Sequence, residues 1–461
     1  MTARQTVTTS DVLNIAARLE RLPFTKFQLI IFCTIATAWF FDSVDLGALT
    51  FLLGPIKKEF GLTTVWAGAL SSVSFLGMAI GAVFAGLAAD RWGRRLVFQW
   101  SMLIWGAGSI FCGLTHTIEQ LVIARFFVGL GMGMEFPVAQ AIATEIIPAK
   151  IRGRAIAVLE GFWPLGFISA GLITYFVVSI SGANWRTVFI IQGLPAAFLF
   201  VVRRVVPESP RWLMSKGRVN EAENVMHELE RRVLARLKGK PLPAPEPLNA
   251  DVSVQKYNMF DLWRKKYAKR TAMVWLLWFL ALLGYYGLTS WLSVLLQQSG
   301  FPLAKSVLYT VWISCAGIPG FLMAAWLIEI IGRKLTCILT LLGAAASAYF
   351  YGQALLNIAD IQSVILFGCA MQFCLFGMWS VLYAYTPELY PTRYRATGAG
   401  WASGVGRIGS LIGPPLVGLV LPTLGQSGVF ALGAVAFVAA ALTVAILGEE
   451  TKGKVVEVIS G

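Results

Sequence analysis

The sequence predicts an all-α membrane protein of twelve transmembrane helices in two pseudo-symmetric six-helix bundles, and three observations carry that reading. First, 57% of the 461 residues are hydrophobic and 13% are charged, where a soluble domain has about a quarter charged residues. Second, the apolar residues fall into runs of about 20, enough to cross the hydrocarbon of a bilayer. Third, loops at matching places in the two halves repeat one pattern of acids and bases. No stretch outside residues 207–270 is polar enough to coat a soluble domain, which excludes the roughly three soluble domains that length alone would allow.

Taken in order, residues 1–26 are a polar N-terminal segment with Arg18, Glu20, Arg21 and Lys26. Apolar runs near 27–49, 65–88, 96–114, 118–143, 155–180 and 186–206 are spans 1 to 6, forming an N-terminal bundle over 27–206. The first run is too long for a signal-peptide core and has no small-residue cleavage site, so it is expected to stay in the mature protein. The linker, 207–270, holds a charged, helix-forming stretch at 209–240, expected to be a solvated spacer, with docking against the cytoplasmic ends of both bundles as the alternative, and an extended proline-rich one at 241–250. Runs near 271–297, 303–330, 335–356, 360–386, 396–420 and 427–447 are spans 7 to 12 of a C-terminal bundle over 271–447, and 448–461 form a tail.

The formal net charge of +14 reads as topology before it reads as nucleic-acid binding, because the basic residues gather in particular loops. Arg91, Arg94 and Arg95 follow span 2, Lys150, Arg152 and Arg154 follow span 4, Arg333 and Lys334 follow span 8, and Arg393 and Arg395 follow span 10. All fall on one side with the linker, Lys452 and Lys454, and the opposite loops hold little beyond Lys57, Lys58, Arg186 and Lys305. Both termini are therefore expected in the cytoplasm. The cysteines at 33, 112, 315, 337, 369 and 374 sit inside apolar runs without C-x-x-C spacing, which supports neither a disulfide nor a metal site.

The repeat is ordered. Asp90-Arg91-Trp92-Gly93-Arg94-Arg95 has a degenerate counterpart in Glu329-Ile330-Ile331-Gly332-Arg333-Lys334. Glu145, Pro148 and Arg152 recur as Glu388, Pro391 and Arg395, and Pro207-Glu208-Ser209 echoes in Glu449-Glu450-Thr451. Three echoes in the same order argue for duplication of a six-span unit.

With these motifs in view, the chain resembles the major facilitator superfamily over essentially its whole length. Gly86-x-x-Ala89-Asp90-Arg91-x-Gly93-Arg94-Arg95 resembles the superfamily's signature loop. Arg125-Phe126-Phe127-Val128-Gly129-Leu130-Gly131-x-Gly133 and Pro207-Glu208-Ser209-Pro210-Arg211-Trp212-Leu213 resemble the branch of sugar porters and organic-ion carriers. Phe40-Phe41-Asp42-Ser43-Val44-Asp45, Tyr285-Tyr286-Gly287 and Gly406-Arg407-Ile408-Gly409 are most similar to bacterial organic-acid carriers of the niacin-transporter type. The chain departs from the animal carriers of the branch, with about fifteen residues between spans 1 and 2 and no N-x-Ser/Thr sequon. That favours a bacterial inner membrane. The antiporter signature of span 5 is replaced by Gly161-Phe162-Trp163-Pro164-Leu165-Gly166, which favours uptake over efflux.

Ionisable groups inside hydrocarbon cost a few kcal/mol, so each is a functional candidate unless it is structurally paired. They are Asp42 and Asp45 in span 1, Arg125 and Glu135 in span 4, Glu160 in span 5 and Arg407 in span 11. Spans 1 and 4 run in opposite directions, which puts Asp45 and Arg125 at one depth, where they could form either a proton switch or a permanent ion pair. The resemblance gives them the proton-coupling role, with Asp42 as a second proton site or cavity group and Glu135 as the rival carrier. Arg407 is the candidate for a substrate carboxylate, since a guanidinium matches it with two parallel hydrogen bonds; the alternative is a structural pair with Glu160 or Glu135.

Trp39, Phe40, Trp163, Tyr285, Tyr286, Trp291 and Trp379 are the aromatic groups that could sandwich a planar ring. Asp90, Arg94, Glu145 and Arg152, with Glu329, Arg333, Glu388 and Arg395, are candidates for a cytoplasmic gate of ion pairs that holds the bundles together in an outward-open state. The expectation is therefore a secondary transporter, a monomer in the lipid bilayer, that imports a small anionic substrate with protons. It needs no cofactor beyond the proton gradient and binds no nucleic acid. A nicotinate-like aromatic carboxylate is the substrate that the resemblance implies. A proton-coupled sugar or polyol carrier is the alternative within transport, although Asn and Gln are scarce in spans 5, 7, 8 and 10. A non-transporting nutrient sensor is the alternative of another class. An enzyme is not expected, because His116 and His227 lie in loops and no nucleophile and base or metal-ligand set accompanies them.

Overall fold

The computed structural model describes residues 9–237, 241–245, 262–263, 265–357, 360–390 and 395–452. Eleven helices are long and apolar enough to cross a membrane among the described residues, and the last of them, Thr397–Leu447, is two spans. Gly425 breaks it with φ +66° and ψ −171°, a left-handed backbone that glycine adopts without strain. Span 1 is Lys26–Glu59, span 2 Thr64–Trp92, span 3 Arg94–Gly113 and span 4 Ile118–Ile146. Span 5 is Val158–Ile180, ending in a π-helical stretch at Tyr175–Ile180, and span 6 is Trp185–Val205. Spans 7 to 10 are Tyr267–Thr289, Leu303–Ile330, Arg333–Ala354 and Ile361–Glu388, with the short helix Leu292–Gln298 continuing span 7.

Span 1 is longer than its hydropathy suggests. Gly54-Pro55-Ile56-Lys57-Lys58 stays helical, so the connection to span 2 is residues 60–63 and the two lysines belong to the last helical turn. A lysine stem there lies along apolar surface while its ammonium reaches the interface.

Packing follows the duplication. Span 2 packs on span 4 as span 8 does on span 10, span 3 on span 4 as span 9 on span 10, and span 3 on span 6 as span 9 on span 12. Span 1 packs on span 5 as span 7 does on span 11. The glycine triplet of span 4 shows how close the helices come. Side chains added at Gly129 and Gly133 would enter the backbone of Ser74 and Met78 in span 2, and one at Gly131 would enter Ser101 and Trp105 in span 3. Without a water-driven hydrophobic effect between helices in lipid, such small-residue contacts are what bring helix backbones together.

The bundles meet at the end opposite the linker. Gly68 of span 2 lies on Pro414 and Pro415 of span 11, Gly418 on Thr64 and Val65, Gly54 on Gln297, and Gly171 of span 5 on Val311 of span 8. At the linker end, Gly86, Gly161, Gly400 and Gly404 face open space. The bundles are therefore closed against each other at the far end, and no such glycine contact joins them at the linker end among the described residues.

The linker is not a solvated spacer. Helices Pro210–Ser215 and Val219–Leu234 close a small core with the N-terminal helix Thr9–Glu20, burying Ile15, Leu19, Trp212, Leu213, Met226 and Leu229. Arg18 pairs with Glu223 at 2.7 Å and Glu230 at 2.8 Å, and Arg21 with Glu230 at 2.6 Å. The amphipathic pattern of 219–234 has a packing partner that its own sequence does not reveal. Of the proline-rich stretch, residues 246–250 lie outside the described residues.

Candidate functional site

The N-terminal bundle holds a sealed acid cluster. Arg125 Nη1 donates to Asp45 Oδ1 at 2.8 Å, with both side chains fully buried. Arg125 Nε donates to Ser74 Oγ at 3.1 Å, and the guanidinium lies 5.6 Å from the Phe189 ring centroid. Four spans thus enclose the pair, and the depth match between spans 1 and 4 is realised. Asp42 is also fully buried, neither of its oxygens has a hydrogen-bond partner, and it lies within electrostatic reach of Glu135 and Asp45. Glu135 Oε2 accepts from Trp105 Nε1 at 2.9 Å and from Ser101 Oγ at 3.4 Å, while Oε1 is unpartnered. Of these three carboxyls, Asp45 alone is paired with an arginine. Burying a charge without a partner is expensive.

Arg407 stands elsewhere, at the bundle interface. Its guanidinium lies 5.6 Å from the ring centroid of Phe136 in span 4, beside the Tyr286 hydroxyl, and its Nη1 is buried without a hydrogen-bond partner. Neither proposed acid closes an ion pair on it. Glu160 accepts from Gln140 Nε2 at 3.3 Å and reaches Arg407 only through space, and Glu135 is held by Trp105.

Aromatic rings flank this position from both bundles. Phe136 lies 4.6 Å from Trp39 and 5.5 Å from Trp163. On the other side Tyr285 and Tyr286 meet at 5.0 Å, Trp379 lies 5.3 Å from Tyr285, and Tyr383 stacks on Trp379 at 5.6 Å. Phe75 of span 2 touches Tyr286 at 4.5 Å across the interface. A narrow cavity of about 30 Å³ between the bundles is lined by Ser43, Thr50, Ser71, Trp163, Tyr285 and Tyr286, among others. Trp291 does not join the group: it is fully buried, and its Nε1 donates to Pro414 O at 3.1 Å, so it ties span 7 to span 11 at the closed end. Phe40 packs on Phe41 at 5.6 Å and borders the buried cluster of Val44, Phe51 and Ala170.

The loop charges form two copies of one arrangement, each inside its own bundle. Glu208 Oε1 accepts from the backbone N–H groups of Arg94, Arg95 and Ser209 at 2.9, 3.2 and 3.0 Å. Glu450 accepts from those of Arg333, Lys334, Thr451 and Lys452 at 2.9, 3.0, 2.9 and 2.8 Å. Arg94 pairs with Glu145, which accepts from Ser209 Oγ, as Arg333 pairs with Glu388 at 3.0 Å, which accepts from Thr451 Oγ1 at 2.6 Å. Gly93 and Gly332 have φ of +101° and +93° and sit against the Glu208 and Glu450 carboxylates, leaving no room for a side chain. The expected bundle-to-bundle pairs are thus, in this conformation, pairs within a bundle. Asp90 is exposed and its carbonyl accepts from Trp212 Nε1 at 2.9 Å; Glu329 is exposed and pairs with Arg333 at 3.0 Å. The side chains of Arg152 and Arg395 lie outside the described residues.

Several participants escaped the sequence reading. Ser74, Ser101, Trp105 and Gln140 each bind a buried charge, but single polar residues in apolar spans give no pattern. Tyr383 is one turn from Trp379, and Phe136 adjoins Glu135, so spacing along the helix could have found both.

Two six-helix bundles around an interior cavity, with buried charges beside it, define a polytopic membrane transporter of the alternating-access kind. The comparisons agree: residues 31–460 match the family model "Sugar (and other) transporter". The chain belongs to that family, within the major facilitator superfamily. It is 38% identical to the niacin transporter NiaP of Acinetobacter baylyi over 97% of this chain and 100% of that one. It is 29% identical to the 4-hydroxybenzoate transporter PcaK of the same organism, over 97% and 96%. Its fold matches the partially occluded, inward-open xylose transporter XylE of Escherichia coli at a TM-score of 0.75 and 19% identity, over 94% of this chain and 100% of that one. As a member of a transporter family, the chain is not an enzyme.

Proposed function

We propose that the chain imports a small aromatic carboxylate of the nicotinate or hydroxybenzoate type with protons, as a monomer in a bacterial cytoplasmic membrane, with the linker end inside. The observation that carries this reading is Arg407, a buried guanidinium with an unpartnered Nη1 between aromatic rings of both bundles. An aromatic acid supplies a carboxylate for the guanidinium and a flat ring for the space between Trp163 and the Tyr285, Tyr286 and Trp379 group. The names of two relatives, a niacin and a 4-hydroxybenzoate transporter, support the same chemistry. The basic loops support the orientation.

Asp45, Asp42 and Glu135 carry the proton side of the cycle in this reading. When Asp45 is ionised, Arg125 holds it; when it takes a proton, the pair loosens and spans 1 and 4 are free to shift. Co-transport requires only that proton and substrate binding favour the same change of state. Breaking the two loop networks and re-forming them across the bundles would alternate the gate.

Uptake by proteoliposomes of labelled nicotinate, 4-hydroxybenzoate and xylose, with and without an inward pH gradient, tests the proposal. Accumulation of an aromatic acid only with the gradient is expected. Accumulation of xylose alone would move the assignment to the sugar reading.

A further inference from the structure

A second site lies outside the transport pathway, at the linker end of the N-terminal bundle. A groove there is lined by Arg95, Arg203, Arg204, Arg218 and Arg232, with three glutamates, Glu208, Glu221 and Glu228. Every one of these acids is already engaged. Glu208 is taken by the amides of Arg94, Arg95 and Ser209. Glu221 pairs with Arg218 at 2.5 Å, and Glu228 with Arg231 and Arg232 at 2.5 and 2.6 Å. Among the described residues Arg95, Arg203 and Arg204 pair with no carboxylate; Arg95 donates to the Arg203 carbonyl. Arg203 and Arg204 are exposed at the end of span 6.

The position of the groove says what would fill it. It opens where spans 3 and 6 leave the hydrocarbon, beside an exposed apolar strip of Leu96, Trp100, Phe200 and Val201 on those spans. Trp92, 58% exposed at its edge, is the kind of side chain that sits at headgroup level. Exposed guanidiniums next to an apolar strip match one amphiphile, with its phosphate among the arginines and its acyl chains along the strip. Positive charge that only sets topology needs no groove and no apolar edge.

We propose that this groove binds the phosphodiester headgroup of an anionic phospholipid, held by Arg95, Arg203 and Arg204. Such a lipid would join the loop after span 2, the end of span 6 and the linker helix into one unit, next to the Glu208 contact.

Native mass spectrometry of the purified full-length chain in detergent tests this. Phosphatidylglycerol and phosphatidylcholine are titrated against the wild type, the double variant Arg203→Gln with Arg204→Gln, and a control pair outside the groove, Lys216→Gln with Arg236→Gln. The wild type and the control pair are expected to prefer phosphatidylglycerol by about tenfold or more, and the groove variant to lose that preference while keeping the wild-type melting profile. Should the groove variant melt abnormally, Arg203→Lys with Arg204→Lys is used instead, with a partial loss expected because ammonium cannot bind bidentately. Equal affinity for the two lipids in the wild type, unchanged preference in a correctly folded groove variant, or an equal loss in the control pair would overturn the proposal. Displacement of the lipid by millimolar inorganic phosphate would overturn the lipid assignment in favour of a free anion.

Discussion

The two bundles share an architecture but not an interior. Away from the helix ends, the N-terminal spans hold Asp42, Asp45, Arg125, Glu135 and Glu160, whereas the C-terminal spans hold Arg407 alone. At the linker end the two are near copies, Glu208 with Arg94 and Glu145 matching Glu450 with Arg333 and Glu388. The loop machinery that serves both halves equally has therefore kept its duplicated form. The buried groups have diverged, with four acids and an arginine in one half and a lone arginine in the other. The proposed cycle assigns proton work to the first bundle and carboxylate recognition mainly to the second.

The sharpest way to break that division is Asp45→Asn. It leaves Arg125 charged and without its carboxylate partner, a defect of about 3–5 kcal/mol in a buried pair. Gradient-driven accumulation in proteoliposomes is expected to vanish while substrate exchange persists. Accumulation at the wild-type level would move coupling to Glu135 or Asp42. Next in size is Arg407→Ala, for which substrate affinity should fall by about 10–100-fold, the loss of a charged hydrogen-bonded contact. Isothermal titration with the preferred acid measures it, and an unchanged affinity would leave the C-terminal bundle without its assigned role.

A third comparison sets the closed end against the linker end. Gly68→Val puts a side chain into the Pro414 and Pro415 backbone, whereas Gly404→Val projects into open space. The first should lower stability by about 1–3 kcal/mol and the second should leave melting unchanged; equal melting shifts would contradict the asymmetry. The smallest effect tests the duplicated contact. Glu208→Gln and Glu450→Gln should each cost about 1–2 kcal/mol, and the costs should add, since they sit in separate bundles. Glu450 is held below the ordinary carboxylate range; burial opposes this, but the backbone N–H groups of Lys452, Arg333, Lys334 and Thr451 outweigh it. Its contribution is therefore fully present above the ordinary range and is lost as pH falls through the lowered value. Thermal melting of wild type and Glu450→Gln should converge on acidification.

Much of the fold was legible because lipid imposes simple rules: a span must be apolar and long, and flanking bases choose a side. The spans, the duplication and the short list of buried charges all follow from residue type and spacing. The Asp45 and Arg125 pair was legible too, because depth along antiparallel spans is a matter of counting. Linker docking was not, since an amphipathic helix does not name its partner. The place of Trp291 was not either, since a tryptophan reads the same whether it ties helices together or faces a cavity.

The sequence by itself determined the class of protein, its twelve spans and which few ionisable groups lie within the membrane. Only the tertiary structure decided that Asp45 is sealed with Arg125, that Arg407 faces the other bundle without an acid, and that the loop charges close within bundles. Composition and periodicity act along one chain segment at a time, whereas pairing and exposure depend on which segments meet. In this chain that is governed by glycine-lined contacts and by the state of the bundle interface.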